Sequence, residues 1–237
     1  MRLRPLHRDQ GGSVYVELLV VVLPFLLLIL GIAQLALLYV AGSLTQHAAR
    51  RAVRAAVVVL DDDPRHYGGA PRNALAGGAL ASDPLDDLLA GLGLSGDRSG
   101  ESGAGRARLH AIWAAAAAPL LPLSPALVDD GPSVASALGG GRPESRAAAA
   151  ARTLRSALSI SFPAGPGQSA LRDRFAPEDL VTVRVTYVHR CAVPLARHVL
   201  CGGAPGGDAP GAGEAGGRFR VLRAEATLPN HGARYAY

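Results

Sequence analysis

Cys191 and Cys201, flanked by His189 and His198, are the side chains in this sequence whose types and spacing most readily suggest chemistry. Three states compete for them. Outside the cytoplasm such a pair normally oxidises, and closing a loop of about eleven residues stabilises by roughly 3 kcal/mol on the chain-entropy account. The same four residues could instead form a Cys2His2 zinc site, although H-x-C followed by H-x-x-C is not a standard zinc-finger spacing. Free thiols are the third state. A nucleophilic Cys191 with His198 as base would also need an orienting group. The sequence contains no G-x-S-x-G elbow, no P-loop and no H-E-x-x-H. The expectation is a Cys191–Cys201 disulfide, with no metal, no cofactor and no enzymatic activity.

Glu17 is the second group of chemical interest. Gly11-Gly12 precedes it, and an uncharged run from Leu18 to Leu44 follows. A carboxylate entering apolar surroundings is costly unless it meets an opposite charge. At the start of a helix it also suits the positive end of the dipole. The run exceeds the roughly 20 residues a helix needs to cross a bilayer and is apolar all round, so it predicts a transmembrane helix. A secretory signal's apolar region is about half as long. Pro24 removes one backbone hydrogen bond, which membrane helices tolerate. Gly31 is small enough to admit a partner helix, and Gln34 is an amide that seeks a partner in hydrocarbon.

The helix is expected to continue through Ala-rich sequence to about Leu60, where Asp61-Asp62-Asp63-Pro64 ends it. His47, Arg50, Arg51 and Arg54 share one face of that extension, opposite Ala48, Ala49, Ala52, Ala56 and Val59. A basic stripe of this kind is either a solvated face or a contact for lipid phosphates or an acidic partner. The leader's Arg2, Arg4 and Arg8 balance the arginines beyond the helix, so the positive-inside rule decides nothing. The cysteine pair places the C-terminal part in an oxidising compartment and the N-terminus in the cytoplasm.

Residues 12 to 17 followed by the apolar run form the processing pattern of type IV prepilins. With VELLVVVLP and LLLILGIAQLALL, the sequence resembles the TadE/TadG-like family of tight-adherence (Flp) pilus assembly proteins. VTVRVTYVHRCAVPL and LRAEATLPN look like the extracytoplasmic part of such proteins. Two positions depart from the family pattern: Leu18 replaces a usual aromatic, and Gln34 replaces a frequent acid. The resemblance implies a prepilin peptidase that cuts between Gly12 and Ser13, leaving an amine at Ser13 to meet Glu17. It also implies other pilins or the assembly platform as partners, and a single-pass location in a bacterial inner membrane with a periplasmic domain. The other reading is an unprocessed, signal-anchored binding or scaffold protein.

Composition supports a modest folded unit. Gly 29 and Pro 17 are high and aromatics make up 5%, so irregular stretches and a small core are expected. The net charge of +5 comes with scattered arginines and few aromatics to stack bases, which argues against nucleic acid as a partner. Residues 1–12 read as a basic leader and 13–60 as the helix and its extension. Residues 61–142 read as a Gly/Ala/Pro-rich region with short helices, at Asp83 to Leu92 and in HAIWAAAAAPLLPL around Trp113. Residues 143–237 read as a small α+β domain, with a helix from about Pro143 and three strands. Those strands carry Leu158, Ile160 and Phe162; Val181, Val183, Val185 and Tyr187; and Leu222, Ala224, Ala226 and Leu228. CGGAPGGDAPGAGEAGG reads as a disordered loop between the last two. The fold class is α+β: a long N-terminal helix followed by a small antiparallel sheet.

Overall fold

The computed structural model describes residues 11–67, 69–75, 106–124, 150–151, 153–202, 218–230 and 232. The expected helix at Asp83 to Leu92, the start of the one near Pro143, most of the leader and the glycine-rich loop fall outside these residues.

Helix α1 runs from Gly11 to Asp61 without a break at Pro24. A 3-10 turn over Pro64–Tyr67 follows the acidic stop. Helix α2, Arg106–Ala117, passes into a 3-10 segment, Ala118–Leu123, at Pro119. Proline has no N–H to donate, so the α-helical ladder ends there. Residues 150–151 and 153–157 are helical and lead into strand β1, Leu158–Ser161. Strand β2, Leu180–Arg190, is joined to β3, Phe219–Pro229, by a segment holding the short helix α3, Ala196–Leu200. The three strands form one antiparallel sheet in the order β1-β2-β3.

The register follows the alternation of side chains. Leu158 sits opposite Tyr187 and Val185 opposite Ala224, so the apolar faces of the three strands coincide. Val181, Val183, Val185 and Tyr187 are buried against the rest of the core. The other side of β2 is held by polar pairs. Thr182 and Thr227 share a 3.0 Å hydroxyl bond, and Arg184 Nε meets Glu225 Oε1 at 2.6 Å.

The two halves of α1 have different surroundings. From Tyr15 to Ile29 the side chains are exposed on every face. From Gln34 onward one stripe is buried: Gln34, Ala41, Thr45, Ala48, Ala52, Ala56 and Leu60, at three-, four- and seven-residue steps. Alanine at these positions lets the sheet and α2 approach the helix backbone closely. Ile112, Trp113, Ala116 and Ala117 of α2 are buried in the same cluster. Trp113 therefore serves the domain core.

Candidate functional site

The apolar half of α1 is the site most distinct from an ordinary protein surface. Leu18, Val21, Phe25, Leu28 and Ile32 are all exposed. This helix is long and apolar enough to cross a membrane. Gly11 and Gly12 occupy its first two positions. Glu17 lies one turn further on, at the boundary where the aliphatic run begins.

The structure sends the sequence-selected residues to three places. Glu17 and Pro24 lie on the open rod. His47, Arg50, Arg51 and Arg54 form an exposed face on the second half, while Ala48, Ala49, Ala52 and Ala56 behind them are fully buried. Gln34 joins the third place, the end of the sheet where β2 leaves for α3. Its Oε1 accepts a hydrogen bond from the Val193 backbone N–H at 3.1 Å. The Gln34 amide thus has a partner 159 residues away in its own chain. Its Nε2 is buried without a hydrogen-bond partner. Half-buried Gly31 lies beside this contact and has open space where a Cβ would stand.

Cys191 and Cys201 close that segment, with Cα atoms 6.6 Å apart. Because the sulfurs are bonded to each other, neither is available as a zinc thiolate. Arg218 adds a bond from Nη1 to the Cys201 carbonyl at 3.4 Å. His189 is buried at the same end, its ring 6.1 Å from that of Tyr187. Burial pushes its pKa below the ordinary 6.5, favouring the neutral ring.

A further cluster, unforeseen from sequence, fixes the far end of α1. Arg108 of α2 is fully buried. It donates to the Pro71 carbonyl and, through Nη2 at 3.1 Å, to the Asp62 carbonyl. Its guanidinium lies 4.9 Å from the Tyr67 ring centroid. A cation here satisfies carbonyls just beyond the helix and suits the negative end of its dipole. Tyr67 Oη donates to Asp62 Oδ2 at 3.0 Å. Burial first, then this bond to Asp62, raises its pKa to about 12. The sequence hint was slight: Arg108 is one of two arginines in RARLHAIW, which also holds His110 and ends at the only tryptophan.

No curated protein and no solved structure matches the chain. Residues 12–54 match the family model described as TadE-like protein. The matched span starts at Gly12, takes in Glu17, the open rod and Gln34, and stops at Arg54 of the basic face. Over that span the chain is similar to TadE-like proteins.

Proposed function

We propose that the chain is a structural component of tight-adherence pilus assembly, held by α1 as a single-pass anchor with its sheet domain in the envelope. The observation that carries this reading is the agreement between the TadE-like span and a helix whose first half is bare and apolar on every face. Water does not tolerate such a rod. Lipid does, and so do the apolar helices of other pilins.

On this reading Glu17 is the assembly group. A prepilin peptidase cuts between Gly12 and Ser13 and frees an amine one turn from the carboxylate. That amine, or one from a neighbouring subunit, neutralises Glu17 within the bundle and sets axial register. Gly31 leaves room for a neighbouring helix, and Pro24 is accommodated in the rod. The basic face of His47, Arg50, Arg51 and Arg54 meets lipid phosphates or an acidic partner above the bilayer.

Mass spectrometry of the membrane-extracted protein tests the processing step. The expected mature N-terminus is Ser13. An intact leader in cells with an active prepilin peptidase would favour an unprocessed, signal-anchored scaffold.

A further inference from the structure

The lower end of the domain reaches the helix too early for it to remain in water. A hydrocarbon core of about 30 Å requires about 20 helical residues. Counted from Leu18, just after the Glu17 carboxylate, that span ends near Leu37. Yet the domain begins to cover α1 at Leu30 and Gly31, which are half-buried, and Gln34 is fully buried under Val193. The bare helix from Leu18 to Ile29 is about 18 Å long at 1.5 Å per residue, well short of the core. With α1 across a bilayer from Leu18, the segment from Cys191 to Cys201 would lie at the depth of one leaflet's edge.

The side chains on that segment suit this depth. Leu195 is 52% and Val199 86% exposed on the outside of α3, and both are apolar. Tyr39 of α1, just above the same level, is 80% exposed and carries the amphipathic ring that favours a headgroup zone. Leu195 has φ 64° and ψ −58°, a strained γ-turn closed by the Ala196 N–H on the Pro194 carbonyl at 2.7 Å. The disulfide and the Gln34–Val193 bond hold the segment against the helix, so its apolar side faces outward in a fixed orientation.

We propose that the disulfide-closed segment Cys191–Cys201 is a second membrane contact, with Leu195 and Val199 inserted at the headgroup–acyl boundary of the leaflet on the domain's side. The proposal rests on α1 crossing the bilayer. The domain and the helix it packs on would then meet the membrane at two points and be kept from rotating or tilting together, which presents the basic face of α1 in one orientation.

Fluorescence quenching by brominated phosphatidylcholine tests this on the full-length protein in proteoliposomes. The native Trp113 is fully buried in the domain and serves as the baseline. Val199→Trp reports on the segment and Phe25→Trp on the rod. The expected result is that the added Val199→Trp emission falls by about twofold with bromine near the head of the acyl chain and less with bromine near its end, as befits an interfacial residue. Phe25→Trp should be quenched more strongly by the deeper label. Quenching of Phe25→Trp without quenching of Val199→Trp overturns this proposal and leaves the membrane span intact. Absence of both overturns the span as well. A Val199→Trp emission that shifts to the blue with rising protein density but resists brominated lipid assigns the surface to a second protein, and likewise overturns the proposal.

Discussion

At the residue scale, two side chains connect parts of the molecule that the sequence keeps far apart. Gln34 binds the Val193 amide across the helix–domain junction. Replacing Gln34 with Leu removes the acceptor and leaves a backbone donor unpaired, at a cost of about 1–3 kcal/mol. Hydrogen exchange at the Val193 amide should accelerate measurably in that variant while exchange in β2 stays slow. Arg108 joins the end of α1 to α2, and Arg108→Met leaves the Pro71 and Asp62 carbonyls without their cation. Loss of charge-assisted bonds of this kind costs about 1.5–3 kcal/mol, to be read as a lowered midpoint in thermal unfolding. His189 supplies a pH dependence of known sign. Its pKa is depressed in the fold, so the unfolded chain binds the extra proton more readily. Its contribution is complete above the ordinary 6.5 and declines as pH falls below it, through the folded pKa. Unfolding midpoints measured across this window should slope downward toward acid, and His189→Phe should flatten the slope. Glu225 also has a lowered pKa, first from the Gly167 N–H and then from Arg184, and its effect belongs below the ordinary 4.5.

At the element scale, α1 carries two different environments along one continuous backbone. The upper half is a domain helix, with its alanine stripe closed under β2, β3 and α2. Ala52→Leu should overpack that stripe and cost about 1–3 kcal/mol, with Trp113→Ala larger at about 3–5 kcal/mol because it leaves a cavity. Denaturant titration of both variants checks the order. These elements were readable from the sequence because their signals are local. The 3.6-residue stripe of α1, the proline stop at Pro64 and the two-residue alternation of β2 each lie within one stretch of chain. The uses of Gln34 and Arg108 were not readable, because their partners depend on how distant segments pack. A polar residue in an apolar run shows only that a partner is needed. The pairing of Asn230 Nδ2 with Asn73 Oδ1 at 3.0 Å, across 157 residues, was hidden for the same reason.

At the scale of the whole molecule, the bare rod and the packed domain demand different solvents. The domain buries its apolar side chains against one another, while Tyr15 to Ile29 buries nothing within the chain. Each exposed Leu, Ile, Val or Phe gains about 1.5–3 kcal/mol when removed from water, so the rod drives the molecule into lipid or against other apolar helices. Reduction of the Cys191–Cys201 bond should leave that anchoring unchanged, because the rod does not depend on it. The same reduction should loosen the lower end of the domain by roughly 3 kcal/mol, seen as faster proteolysis in the segment between the cysteines. Alkaline carbonate extraction of membranes carrying the full-length chain tests the anchoring claim most directly. Retention in the membrane pellet is the predicted result, whereas release of a soluble monomer into the supernatant would contradict it.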